Sequence, residues 1–331
     1  MSDKKTAGVP FKTPDNKEFE ESLRDYKPEA GLNPQAQKKK KRKKILNAVL
    51  ISFIGVCAAV LVVCIVLIAG NISDKERGKE IYDDAAKLFE EALFNDPNAG
   101  NTDGDEAPRS LYDRIKDLYA DDAGEDEDKK QEIGFDMNDV RGSLSNLKAI
   151  NDDVVGYIYV ENTTIRYPLM RSSNGDDDYY LDHAFTGEYL SVGSIYMVSS
   201  CDPKLDNNYN TLIYGHNVVN GQMFHDVMKF LDPDFFATYK IYIYTFDGMY
   251  VYQPFSIYQT QSDYNYIQTD FVSENEFLGF ASQMKANSEI PSDLTIGEGD
   301  TMITLSTCTG TGVVSSARYS LHAKLIDIIR D

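Results

Sequence analysis

Apolar residues follow three rhythms along this chain. Residues 45–70 form one unbroken run of 26 residues without a charge. In residues 75–93, Ile81, Ala85, Leu88 and Ala92 recur at helical spacing with charges between them, which predicts an amphipathic helix. Another helix is expected over residues 136–150. After it the pattern shortens to β-branched and aromatic runs bounded by turn residues. These runs predict strands at 154–160, 164–169, 193–198, 210–214, 240–245, 249–260, 301–307 and 317–328. Helical interruptions are expected at 223–230 and 273–285. Many short strands with few long helices predict a mainly β domain, a closed or nearly closed barrel.

The first rhythm predicts a membrane span. A helix needs about 20 apolar residues to cross the hydrocarbon core, and residues 45–70 exceed that. Lys38, Lys39, Lys40, Lys41, Arg42, Lys43 and Lys44 stand immediately before it. The positive-inside rule therefore places the N-terminus in the cytoplasm and everything after about residue 71 outside the cell. A cleaved signal peptide fits less well, because the apolar run is too long and starts 45 residues in. The expected organisation is a cytoplasmic tail at 1–44, polar and disordered with a basic end, and a transmembrane helix at 45–70. An extracellular acidic helical spacer at 71–135 and the mainly β domain at 136–331 complete it. Within the spacer, residues 95–108 read as a loop, 109–119 as a short helix and 121–130 as a charged linker.

Charge sharpens this division. The whole chain carries 33 Lys and Arg against 53 Asp and Glu, yet residues 1–44 hold 13 basic and 7 acidic residues. The remainder is strongly acidic, which argues against nucleic acid as a partner of the main domain. Tyr, at 22 residues, is abundant and Trp is absent, a balance that favours β structure. No His/Cys pair stands at zinc spacing and the acidic runs lack the calcium-loop pattern, so neither a metal nor another cofactor is expected. No Gly-rich phosphate loop is present.

Four cysteines remain to be placed. Cys57 and Cys64 lie in the apolar run; Cys201 precedes the turn signal Asp202-Pro203 and reads as a passive thiol. Cys308 ends the strand-like stretch Thr304-Leu305-Ser306-Thr307-Cys308 and is followed by Gly310 and Gly312, which would leave its thiol accessible. Taken alone, a cysteine in a strand is more often a small buried apolar group. His216 follows the strand-like Asn210-Thr211-Leu212-Ile213-Tyr214-Gly215 and opens a loop, a common station for catalytic side chains and equally for surface histidines. Arg318 opens the last strand, where a guanidinium suits either an oxyanion or a strand-edge ion pair. His183, His225 and His322 carry weaker signals; His322 is about 13 Å along a strand from Arg318. Together, Cys308, His216 and Arg318 suggest nucleophilic acyl transfer.

The combination resembles the class B sortases. The matching pieces are Ile150-Asn151-Asp152-Asp153-Val154-Val155-Gly156-Tyr157-Ile158, Thr164-Ile165-Arg166-Tyr167-Pro168-Leu169 and Tyr179-Tyr180-Leu181. Tyr214-Gly215-His216-Asn217, Thr304-Leu305-Ser306-Thr307-Cys308-Thr309 and Ala317-Arg318-Tyr319 follow in the family's order. The resemblance covers about residues 136–330. It implies a closed barrel of about eight strands with an N-terminal helical extension and a helix in the loop before the cysteine strand. It also implies a membrane-anchored cysteine transpeptidase on a Gram-positive surface. Cys308 would be the nucleophile, His216 the general acid and then base, and Arg318 the holder of the oxyanion, with Ser306 near the substrate. Substrates would be secreted proteins bearing an Asn-Pro-Gln-Thr-Asn-like sorting motif, and the acceptor an amine of peptidoglycan or of a pilin subunit. A surface cysteine protease and an inactive barrel serving adhesion or scaffolding are the rival readings. The segment Asn33-Pro34-Gln35-Ala36-Gln37 lies before the basic run and the apolar helix, the reverse of a sorting signal's order.

Overall fold

The computed structural model describes residues 34–94, 137–310 and 316–330, with residues 17, 20, 21 and 24 as separate helical positions. The expectations for 95–135 and for most of residues 1–33 fall outside the described residues, as does the loop at 311–315.

A 61-residue helix, α1 (Pro34–Phe94), joins the predicted span and the predicted amphipathic helix without a break. Its residues include no internal proline, and the polar Asn71-Ile72-Ser73-Asp74 stretch stays helical. The chain divides into two compact units, one ending at Leu67 and the other beginning at Ile68. In the first, Ile45, Leu46, Val49, Leu50, Phe53 and their apolar neighbours are exposed, and the helix is long and apolar enough to cross a membrane.

In the second unit, Ile81, Tyr82, Ala85, Ala86 and Phe89 form a buried stripe. Phe89 stacks on Tyr157 at 3.9 Å between centroids and 9° between planes. The Tyr82 hydroxyl donates to the carbonyl of Gly193 at 2.6 Å and accepts from the Phe185 amide at 3.3 Å. Arg166 adds exposed ion pairs to Asp83 and Glu90, which contribute little on their own. This part of the predicted spacer is therefore packed on the barrel. Helix α2 (Met137–Ile150) buries Val140, Leu144 and Leu147 on the same core.

Eight strands close the barrel: β1 (Val154–Val160), β2 (Arg166–Met170), β3 (Ile195–Met197), β4 (Asn210–Tyr214), β5 (Ile241–Thr245), β6 (Met249–Gln261), β7 (Met302–Cys308) and β8 (Ala317–Ile329). Their order around the barrel is β1-β2-β3-β4-β7-β8-β6-β5, and β5 returns to β1. The pairings are antiparallel except β2 with β3 and β4 with β7. The segment expected to be helical at 223–230 is a 3-10 helix, Phe224–Leu231, followed by the short α3 (Pro233–Thr238). Helix α4 (Glu274–Ala286) lies in the long connection before β7, capped by the Ser273 hydroxyl on the Glu276 amide.

Alternation along β7 sorts its residues between two clusters. Ile303 and Leu305 point into the barrel interior with Leu321, Ala323, Ile213 and Ile195. Met302 belongs to a second cluster under α4, with Phe255, Tyr258, Tyr266, Phe277 and Met284. Thr304, Ser306 and Cys308 share the Met302 side, and this parity sets the direction of the thiol.

Candidate active site

Strand register brings the three predicted residues into one row. β7 and β8 pair so that Cys308 lies directly opposite Arg318, Ser306 opposite Ser320 and Thr304 opposite His322. On the other flank, parallel β4 sets Tyr214 beside Ser306. The ladder continues one step further, where the Gly215 amide donates to the Ser306 carbonyl at 3.2 Å. His216 follows, two residues past Tyr214 as Cys308 is two past Ser306. Histidine, cysteine and arginine thus stand on three adjacent strand ends at the same level, with neighbouring strands about 5 Å apart. All three side chains are half-buried.

Two glycines allow this approach. A Cβ on Gly215 would lie 2.4 Å from Ile195 Cδ1 and 2.7 Å from the Phe224 ring. Gly193 has a φ of +58°, and a Cβ there would lie 2.4 Å from the Leu181 carbonyl oxygen. That carbonyl is the partner of the histidine: His216 Nε2 donates to it at 2.7 Å. A carbonyl only accepts, so Nε2 carries the proton in this arrangement.

Asn217 fastens the His216 loop to the end of β7. Its Nδ2 donates to the Cys308 carbonyl at 2.9 Å, and its Oδ1 lies 2.8 Å from His225 Nδ1. The backbone of the same loop closes through the Phe224 amide on the His216 carbonyl at 2.8 Å. In the sequence Asn217 entered only as part of the matching Tyr214-Gly215-His216-Asn217 piece and His225 only as a weaker histidine; neither had a role, because an asparagine beside a histidine in a loop has many fates.

Below the row lies a buried polar layer. Ser306 Oγ is 2.8 Å from the hydroxyl of Tyr266, whose phenol is pushed up by burial. Burial likewise moves the Tyr214 phenol up to about 12. His322 is fully buried between Thr304 Oγ1 and Ser320 Oγ, each at 2.9 Å, and burial holds it down to about 3. Thr304 spends its own hydrogen on Asn210 Oδ1 at 2.8 Å, so His322 Nδ1 is the donor and Nε2 accepts from Ser320. His322 is thus a neutral part of the scaffold, in keeping with its distance from Arg318 along β8.

The other predicted side chains fall elsewhere. His183 stacks on Tyr179 at 4.0 Å and pairs with Asp182 at 2.7 Å. Cys201 is buried and free, its thiol pushed up by burial. Among the described residues no cluster of three or more His, Cys, Asp or Glu could hold a metal ion. A cavity of about 630 Å³ lies between α1 and the β1–β2 turn, lined by Tyr82, Phe89, Tyr157, Arg166 and Gln222 among others, and includes none of the row.

A family model described as the sortase domain matches residues 158–326. Sortase B of Listeria monocytogenes is 34% identical over 193 residues, covering 57% of this chain and 76% of that protein. Sortase B from Bacillus anthracis in complex with AAEK1 gives a TM-score of 0.56 at 27% identity, over 78% of this chain and 100% of that one. A Staphylococcus aureus sortase B–substrate complex gives 0.57 at 25% identity, over 77% of this chain and 99% of that one.

Proposed function

The chain belongs to the sortase family, as a cysteine transpeptidase of class B, and we propose that it transfers secreted proteins to a surface amine through a thioester on Cys308. The observation that carries the assignment of residues is the row His216–Cys308–Arg318 on three adjacent strand ends.

In the first half-reaction the Cys308 thiolate attacks the scissile carbonyl carbon of a sorting motif. A C–S bond forms and the carbonyl oxygen becomes an oxyanion. Arg318 donates to that oxygen; a guanidinium remains charged and brings several N–H groups to one face. The C–N bond then breaks, and the leaving nitrogen takes a proton from the His216 imidazolium. In the second half-reaction an acceptor amine attacks the thioester carbon, gives its proton to the now neutral His216, and expels the thiolate. Ser306, one step along the same face of β7, would lie beside the bound peptide. The thiolate supplies the nucleophilicity, so both half-reactions proceed without a cofactor.

The substrate motif in this reading is of the Asn-Pro-Gln-Thr-Asn type, and the acceptor is an amine of peptidoglycan or of a pilin subunit. Sortases act at the cell surface, and one N-terminal helix here is long and apolar enough to span a membrane. The basic run at 38–44 supports a cytoplasmic N-terminus and an outward-facing barrel. In this organisation residues 1–44 form the tail, 45–70 the span, 71–135 the segment leading outward and 136–331 the catalytic domain.

The test is product analysis with the full chain in detergent, a panel of quenched sorting peptides and a panel of amines. Cys308-dependent cleavage yielding an amine-linked product is the expected result. Cleavage to the free acid alone, whatever amine is offered, would make the protein a protease instead. A chain with no Cys308-dependent product in any combination would be a non-catalytic barrel.

A further inference from the structure

We propose that Asn217 is a positioning residue for this acyl transfer: oriented by His225, its side chain ties the loop carrying His216 to the backbone of Cys308. The inference rests on Cys308 and His216 being the reacting pair. Asn217 is 5% exposed, and its amide is fully engaged. Nδ2 donates to the Cys308 carbonyl at 2.9 Å and faces Met228 Sδ at 3.9 Å, while Oδ1 meets His225 Nδ1 at 2.8 Å. An amide oxygen only accepts, so His225 must carry its proton on Nδ1. That proton fixes which end of the Asn217 amide faces Cys308. With the amide reversed, two carbonyl oxygens would oppose each other and two N–H groups would face each other.

The tie has a geometric consequence for the reaction. β4 ends at Tyr214, so His216 and Asn217 lie beyond the regular β4–β7 ladder. Among the described residues, the Gly215 amide on the Ser306 carbonyl is the last backbone bond joining this segment to β7. Past it, the Asn217 side chain supplies the next link, at the residue that bears the thiol. An isolated bridge between Asn217 and Met223 and the bond from the Phe224 amide to the His216 carbonyl fold the loop back on itself. His225 follows directly on this closure. The loop is thus a short clasp in which His225 orients Asn217, and Asn217 sets the separation between imidazole and thiol. Proton transfer to the leaving nitrogen depends steeply on that separation, since small misplacements of reacting groups lower rates by orders of magnitude.

The experiment uses the full chain in detergent, with a quenched Asn-Pro-Gln-Thr-Asn peptide and, as a substrate-free probe, alkylation of Cys308 by iodoacetamide. Asn217→Ala is expected to lower kcat tenfold or more, with KM within threefold and alkylation within threefold of wild type. His225→Leu should fall in the same direction. His225→Asn, whose amide nitrogen occupies the place of the ring Nδ1, should restore most of the loss. This rescue remains decisive if Asn217→Ala does not fold. The inference is overturned if Asn217→Ala keeps kcat within twofold, if the effect lies in KM alone, or if His225→Asn is as impaired as His225→Leu. Wild-type turnover and its loss in Cys308→Ala report separately on the nucleophile: if the wild-type chain fails to turn over, the functional reading falls and takes this inference with it.

Discussion

Arg318 illustrates how much a single residue depends on its register partner. A guanidinium at a strand edge is ordinary; one directly opposite a cysteine thiol is placed for an oxyanion. If it holds that charge as proposed, Arg318→Ala should lower turnover by about 10²–10³ while leaving the fold intact. Steady-state kinetics with circular dichroism checks both halves, and full activity in the variant would remove the residue from the mechanism. His322 gives a pH prediction of known sign. In the unfolded chain it takes up a proton near 6.5, but in the folded barrel only at about 3. Below pH 6.5 the unfolded state therefore binds more protons, and stability falls with pH. The melting temperature should decline between pH 6.5 and 5, and decline less in His322→Gln; thermal scans at both pH values test this. The types and order of Cys308, His216 and Arg318 were legible in the sequence. The service of Asn217 and of the Leu181 carbonyl was not, because both act through geometry that forms only when separate segments meet.

At the scale of elements, β-branched and aromatic runs bounded by turn residues located all eight strands within a few positions, and the helix before β7 as well. Apolar runs mark strands here because both faces of β7 are covered, Ile303 and Leu305 in the barrel core and Met302 in the cluster under α4. Helical spacing in α1 marked Ile81, Ala85, Leu88 and Ala92; of these Ile81 and Ala85 are buried and Leu88 half-buried, and the large side chains of the buried face, Tyr82 and Phe89, were missed, as was its partner: periodicity shows that a face is covered, not what covers it. The structure supplies the partner in Tyr157, Tyr167, Tyr244 and the Gly193 carbonyl. Phe89→Ala should therefore cost about 3–5 kcal/mol, in the range for truncating a buried aromatic. Denaturant unfolding of the barrel measures it; a cost below about 1 kcal/mol would mean that α1 contributes little to the fold. The helix expected at 223–230 is present as a 3-10 helix over Phe224–Leu231. The segment directly follows the His216–Phe224 closure and Met223, whose φ is +57°, so its start is dictated by the clasp.

For the molecule as a whole, the acidic balance beyond residue 44, the basic run at 38–44 and a helix long and apolar enough to cross a membrane support the anchoring proposed for this sortase-type enzyme. The barrel is closed by eight strands. Its parallel β4–β7 pair and antiparallel β7–β8 pair converge on one edge, where a histidine, a cysteine and an arginine come from segments as much as 102 residues apart in sequence, 216 to 318. The central claim is that this edge forms a thioester. Intact-mass spectrometry of the full chain, mixed with a sorting peptide and no amine, tests it most directly. The account predicts an adduct equal to the peptide's acyl fragment, on wild type and absent from Cys308→Ala, which disappears when amine is added and reappears as amine-linked product. Cleavage of the peptide with no adduct at Cys308, or cleavage that persists in Cys308→Ala, would contradict it.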